Sequence, residues 1–440
     1  MLKNILSGSL FGGIFFISGI ANILPLYAGF SYEGCTEATW LSRGILFVWM
    51  ICSYFFTAKI FSQNNTKGLI ILIIVILFYA CSFLFWYLSF GYTSLLQRCL
   101  SKGVGLMLPA LLLGFYYGWH NKKFLNIALY ILEMCSPIFF VFAFFYDMGI
   151  IGIVSNLAYK GVYTNVGLLN YMSISYMLMP FLLVHVVHFV LRESIIKSVF
   201  CKNCIQCFRF LAIIMYSFAL VLAATRGTIC CVIVALVFFA IINIYHKYSL
   251  RRTIFIVGIV LGILFTGMLF PGTGLNQRIE VVESGLQEGK LVTSRSSDIN
   301  TGEIERLVKL DYHNNEWDSI PKISNRGTLY TLAIKEFQKS PIVGMYPGGY
   351  WEKYKLYPHN IFLEVICELG IFSILIFSFI YIAGKTIVCD AVADEQKIGI
   401  FVLFIAYILR ACVSGSFWTD YFICAFMGYG LARKVKKQTP

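Results

Sequence analysis

Between residues 8 and 432 the sequence returns repeatedly to apolar runs long enough to cross ~30 Å of hydrocarbon at ~1.5 Å per residue. They fall near 8–28, 40–61, 68–89, 103–119, 126–146, 168–191, 208–224, 228–245, 253–271, 360–384, 396–414 and 417–432. In lipid a backbone segment must satisfy its own hydrogen bonds, so runs of this length are helices. The sequence therefore predicts an all-α polytopic membrane protein with about 12 transmembrane helices. A chain that is 59% hydrophobic and 13% charged, with a mean hydropathy of +0.77, cannot bury that surface inside a water-soluble globule. Only Lys3 precedes the first run, which makes a signal peptide the competing reading; with so many runs behind it, the first is expected to be an anchor.

Lysine and arginine set the orientation. With the N-terminus inside, the inner segments hold 18 of the 35 basic residues, the short outer connections and helix ends hold 6, and one long outer segment holds 11. Both termini are thus expected on the cytoplasmic side. The long segment also carries 11 acidic residues, so the net charge of +13 is a topology signal and gives no support to nucleic-acid binding. Three regions follow: a membrane region of nine helices over 1–271, the large outer loop over 272–358, and a membrane region of three helices over 359–440.

No cysteine falls between residues 272 and 358, so the outer loop has no disulfide framework. Cys201, Cys204 and Cys207 make a C-x-x-C-x-x-C run on the inner side that lacks a fourth metal ligand and reads as reduced thiols. His185 and His188, toward the inner end of the sixth span, have no carboxylate near them in sequence and read as packed or interfacial histidines. No metal site is expected, and no cofactor.

The outer loop opens with the polar stretch GLQEGKLVTSRSSDINTGEIERL, expected to be mobile. SNRGTLYTLAIKEFQKSPIVG then offers Ser324 or Asn325 as a cap, Leu329, Leu332, Ala333 and Phe337 at helical spacing, and Pro341 as a stop, which predicts an amphipathic surface helix. Next comes YPHNIFLEVICELGIF, which sets costly polar groups at the head of an apolar helix. Asn360, Glu364 and Glu368 recur every four residues and drift along one broad face turned toward protein or water. His359 alone among six histidines faces outward and abuts a membrane helix. Its imidazole suits general-base work on a hydroxyl, with capping as the plainer alternative. Glu364 and Glu368 lie too far down the helix to share its reacting atom, so they are expected to hold polar groups across the bundle, glutamine being tolerated better than alanine.

Arg226, in LAATRGTICC, sits in a connection of almost no length and cannot swing away from the outer surface; Arg326 opens the amphipathic helix, and Arg410 ends a span on the same side. Arginine meets phosphate oxygens through a planar fork and keeps its charge. A histidine with fixed arginines at one membrane face points to a lipid-linked phosphate substrate.

The order ATRG ending at Gly227, NRGTLYTLAIKEFQKSPIVGMYPGGYW at 325–351 and PHNIFLEVICELGIF at 358–372 resembles the O-antigen ligase and O-antigen polymerase superfamily of bacterial envelope glycosyltransferases. The likeness covers about 208–384, with one departure: Tyr346 stands where the family's G-x-G turn has a glycine. The resemblance implies a GT-C-type fold and a metal-independent, inverting transfer at the periplasmic face of the inner membrane. It also implies a glycan on undecaprenyl diphosphate as donor, and another lipid-linked glycan (polymerase) or lipid A core (ligase) as acceptor. By the same analogy His359, Arg226 and Arg326 are catalytic. His359 helps to deprotonate the acceptor, and the two arginines neutralise the departing diphosphate. Arg410, Asn360, Glu364, Glu368, Tyr350, Trp351 and Tyr357 are expected to bind substrate, the aromatic residues by stacking on sugars, although an interfacial aromatic belt explains those rings equally well. A flippase or other transporter for lipid-linked oligosaccharides is the alternative of a different class. It would show two related halves, whereas here a single large loop gathers the candidate groups on one face.

Overall fold

The computed structural model describes residues 2–15, 17, 36–58, 66–120, 127–137, 171–191, 199–222, 225–246, 250–269 and 326–438. The polar opening of the outer loop, and with it His313, lies outside the described residues, as do parts of the first, fifth and sixth predicted spans.

Every regular element among the described residues is helical. In chain order they are α1 (Leu2–Gly13), α2 (Thr36–Thr57), α3 (Thr66–Phe90), α4 (Ser94–Lys102), a π-helical turn (Gly103–Met107) and α5 (Leu108–Trp119). They continue with α6 (Ile127–Pro137), α7 (Tyr171–Leu191), α8 (Val199–Leu222), α9 (Arg226–Tyr245) and α10 (Leu250–Leu269). The C-terminal part holds α11 (Arg326–Lys339), α12 (Gly349–Tyr354), α13 (Ile361–Leu369), α14 (Ser373–Ala393), α15 (Ile398–Val413) and α16 (Tyr421–Gln438). Seven helical stretches among the described residues are long and apolar enough to cross a membrane, and three shorter apolar helices accompany them.

α5 packs closely against α16. Gly114 and Gly118, one turn apart on α5, lie on the Ala425 and Tyr429 carbonyls, and Gly428 returns the contact on the Leu111 carbonyl. Small residues at this spacing let two backbones approach where lipid supplies no hydrophobic drive between helices. The C-terminal helix is thereby locked to the N-terminal half.

A buried polar centre joins α6, α7 and α8. Glu133 on α6 receives the Arg209 guanidinium through Nε and, at 3.0 Å, through Nη2, and it meets His188 Nδ1 at 2.7 Å, with all three side chains buried. Arg209 also donates to the His188 carbonyl at 3.1 Å, and Tyr216 donates to Ser136 at 2.8 Å. This corrects the sequence reading of His188, which has a carboxylate partner after all. The glutamate comes from 55 residues earlier in the chain, a distance that spacing within one helix cannot reveal. A buried ion group of this kind persists only because each charge is paired and hydrogen-bonded.

Candidate active site

α11 begins at Arg326 and ends at Lys339, just before Ser340 and Pro341, and buries Leu329, Leu332 and Ala333 while Ile334 stays exposed. Its buried face meets Tyr350, Tyr354 and Cys367, so the amphipathic helix lies on α12 and α13. Between α12 and α13, Lys355 and His359 both hold left-handed backbone, with φ of 53° and 58°. For residues other than glycine such conformations cost of order 1–3 kcal/mol each and gather at functional sites. Asn360, not His359, caps α13: its Oδ1 accepts the Leu363 N–H at 3.1 Å. The His359 imidazole lies 4.3 Å from the Tyr357 ring, and Tyr357 stacks on Trp351 at 5.6 Å.

The two glutamates are fully buried, and each grips backbone. Glu364 accepts the Ser416 hydroxyl and the Phe417 N–H, both at 2.6 Å. Glu368 accepts the Gly348 N–H at 2.7 Å, the Tyr350 N–H at 3.0 Å and the Trp418 indole at 2.6 Å. Two segments distant in sequence, 344–350 and 414–420, are thus fastened to one helix. The turn at 344–348 fits so closely that a Cβ on Gly344 would enter the Glu368 carbonyl. Gly344, Tyr346 and Gly348 have φ of 70°, 68° and 74°. The tyrosine therefore adopts the left-handed backbone that the glycine of the resembled turn would take.

Three further elements meet the head of α13. Arg410, at the end of α15, donates to Asp420 at 2.7 Å, and its guanidinium lies over the Tyr176 ring at 5.0 Å and the Phe422 ring at 5.3 Å. Its Nε is buried and has no hydrogen-bond partner among the described residues. A Cβ on Gly415 would lie 3.6 Å from Ile361, 3.6 Å from Asp420 and 3.7 Å from Arg410, so the first turn of α13 and the arginine are neighbours. A Cβ on Gly227 would lie 3.2 Å from the Tyr176 hydroxyl and 3.5 Å from Val413. The N-terminus of α9, with Arg226 as its first residue, therefore reaches the same end through Tyr176. Arg226 is exposed, and the Thr225 before it is pinned by the Ser175 hydroxyl at 2.8 Å. Arginine at a helix N-terminus adds a full charge to the partial positive charge of the helix dipole, an arrangement suited to an anion.

Placement separates the predicted residues. Arg226, Arg410, His359 and Asn360 converge on one end of the bundle, with Tyr357 at the histidine's side. Arg326 starts α11, one turn before Leu329, whose carbonyl accepts the Tyr350 hydroxyl at 3.0 Å. Tyr350 is fully buried, its ring enclosed and its hydroxyl taken, so it offers a sugar no face; Trp351 is 7% exposed, and Tyr357 is half-buried. Glu364 and Glu368 spend their oxygens inside the protein. Sequence reasoning missed Asp420 and the loop SGSFWTD at 414–420, a polar and aromatic turn between two apolar helices that could have signalled a site. It also missed the start of α4, where the Thr93 hydroxyl and the Trp86 indole both donate to Glu352 of α12.

Below the turn, Glu336 of α11 accepts Lys339 at 2.7 Å, Tyr354 at 2.9 Å and Lys353 at 3.2 Å. Burial pushes this carboxyl up, but the hydrogen bonds from Lys339, Tyr354 and Lys353 outweigh it and hold the group below its usual 4.5. Among the described residues no three His, Cys, Asp or Glu side chains gather into a group able to hold a metal ion.

Residues 211–378 match the family model described as O-antigen ligase, a stretch that runs from α8 through α14 and contains Arg226, Arg326, His359 and both glutamates. No curated protein matches the chain. The turn at 344–350, the strained histidine before α13 and the arginine heading α9 all fall within this stretch, whose match supports the O-antigen ligase and polymerase superfamily.

Proposed function

We propose that the protein moves a glycan from undecaprenyl diphosphate to a saccharide acceptor during assembly of a surface polysaccharide, as a polymerase joining lipid-linked units. The observation that carries this reading is the convergence of Arg226, Arg410 and the strained His359 on one end of a lipid-embedded bundle, within an O-antigen ligase domain. Arg226 has no ion pair among the described residues, and Arg410 keeps an unused Nε donor, so a diphosphate entering between them meets two cations without first breaking both. His359 takes the proton of the attacking hydroxyl as the glycosidic oxygen leaves with the diphosphate, and the cations stabilise the charge that develops there. Attack from the face opposite the leaving group inverts the anomeric centre. With the topology read from the basic residues, this end faces the periplasm.

The second reading, transfer to lipid A core, uses the same groups and differs only in acceptor. Incubating the purified protein with one lipid-linked repeat-unit donor, with and without lipid A core, tests the assignment. Ladders of lengthening lipid-linked glycan support the polymerase, a product formed only with core supports the ligase, and loss of neither donor nor diphosphate linkage would sink both.

A further inference from the structure

Tyr176, near the start of α7, belongs to the candidate site, whereas Phe189, about 20 Å further along the same helix, belongs to a different opening. A cavity of about 460 Å³ lies there, where the end of α7 meets the starts of α8 and α10. Its size is within the ~300–1,000 Å³ range of ligand pockets. The described residues that line it are Phe189 of α7, Gln206 of α8, and Arg251, Arg252 and Phe255 of α10. No carboxylate stands among them. With the topology read from the basic residues, this end of the bundle meets the cytoplasmic leaflet.

The wall is fixed before any ligand arrives. With its amide oriented by its neighbours, Gln206 donates to the Phe189 carbonyl at 3.3 Å and accepts Arg209 Nη1 at 3.0 Å. Arg209 is itself held in the buried group with Glu133 and His188, so the cavity is braced by the polar centre behind it. An amide NH₂ carries two donors, and the second has no partner among the described residues. Aromatic rings continue the wall: Phe189 lies 6.1 Å from Phe210, and Phe210 stacks on Phe255 at 6.2 Å and an interplanar angle of 11°. Phe255 is exposed, as are Ile254 beside it and Leu211 on α8, so the cavity opens onto the lipid-facing flank of the bundle. Arg251 is exposed and has no ion pair among the described residues.

We propose that this cavity binds the phosphate headgroup of an anionic phospholipid of the inner leaflet, with Arg251 and Arg252 on the phosphate oxygens and an acyl chain along the Phe255 ring. Basic pockets between membrane helices on the cytoplasmic side suit such headgroups. Charge selects the class: the ammonium of a zwitterionic headgroup would sit against two guanidinium groups with no carboxylate in the wall to receive it. A free phosphate ion has no use for the aromatic wall or the opening toward lipid. The inference is independent of the transfer reaction proposed above.

The test is native mass spectrometry of the full-length purified protein with phosphatidylglycerol, phosphatidylcholine or inorganic phosphate added, alongside a thermal melt. The wild type should retain phosphatidylglycerol about tenfold more tightly than phosphatidylcholine, and the double variant Arg251→Gln with Arg252→Gln should lose that preference. Arg251→Gln alone, at an exposed position, should lower it about threefold and serves if the double variant melts early. Lys434→Gln removes an exposed cation from the end of α16, on the same side of the membrane, and should leave the preference intact. A photoreactive phosphatidylglycerol should label the peptides spanning 203–214 and 250–258. Equal retention of the two lipids, an unchanged preference in the folded arginine variants, or an equal loss in Lys434→Gln would overturn the proposal. Labelling confined to other peptides would do the same, and displacement of phosphatidylglycerol by equimolar inorganic phosphate would make this a site for a soluble anion instead.

Discussion

Glu368 Oε2 accepts the Trp418 indole N–H at 2.6 Å, and the same oxygen accepts the Gly348 backbone N–H at 2.7 Å. One carboxylate thus ties the loop before α16 to the turn before α12, and the candidate-site end of the bundle is assembled around it. Glu364, one helical turn earlier, ties the same loop through Ser416 and Phe417. Carboxylates that grip backbone N–H groups act on the position of other residues, and the two differ in what they can tolerate.

Glutamine substitution should separate them. At position 364 an amide oxygen still accepts the Phe417 N–H, and the amide NH₂ can donate to the Ser416 hydroxyl, so Glu364→Gln is expected to cost about 1 kcal/mol. Every recorded partner of Glu368 is an N–H donor, so in Glu368→Gln an NH₂ group must face another donor. The loss should be about 3 kcal/mol or more, read as a melting temperature well below that of Glu364→Gln. The sequence treats the two residues alike; equal melting of the two variants would return them to that footing.

Backbone strain at the turn gives a second pair. Gly344→Ala puts a methyl group into the Glu368 carbonyl at a φ of 70° and should destabilise by about 3 kcal/mol. Tyr346→Gly removes a side chain from a φ of 68° and should leave the stability within ~1 kcal/mol of wild type. Tyr346 is 48% exposed, and if its ring meets a sugar, Tyr346→Gly should raise the KM for glycan without loss of fold. Unchanged kinetics in Tyr346→Gly would remove that role.

Acid should loosen α11 before the bundle. The Glu336 carboxyl is held below its usual 4.5 in the fold, so its stabilising contacts are complete above that value and disappear as pH falls through the lower folded value. Hydrogen exchange over 326–339 should therefore accelerate as pH is taken below about 4.5, after correction for the intrinsic rate, while Glu336→Gln shows the faster opening already at neutral pH. A pH-independent opening of α11 in the wild type would show that the glutamate does not hold it.

Much of this arrangement was legible in the sequence, because hydropathy length, the α11 periodicity and the Pro341 stop are local signals. The partners were not. Glu133 with His188, Arg410 with Asp420 and Glu368 with Trp418 pair across 55, 10 and 50 residues, and nothing in one segment's pattern names the other. α4 was hidden for a different reason. Its polar and apolar residues alternate over only nine positions, too short for a membrane span, yet its cap Thr93 also donates to Glu352 of α12. Tyr350 and Tyr357 look equivalent in an aromatic run, and only burial separates the enclosed ring from the half-buried one.

Arg226 tests phosphate recognition by itself. Lysine keeps the charge and loses the fork, and alanine loses both, so donor use should fall in the order wild type, Arg226→Lys, Arg226→Ala. The alanine variant should lose about tenfold to a hundredfold in kcat/KM, since hydrogen bonds to charged groups contribute ~1.5–3 kcal/mol. Equal turnover by all three proteins would make Arg226 a membrane anchor.

The most direct measurement is transfer by purified His359→Ala, assayed with an undecaprenyl-diphosphate-linked glycan beside a donor-binding assay and a thermal melt. The account predicts wild-type binding and melting with transfer slowed by about 10² to 10⁴, the range for loss of a general base. Full transfer by a folded His359→Ala protein would contradict it.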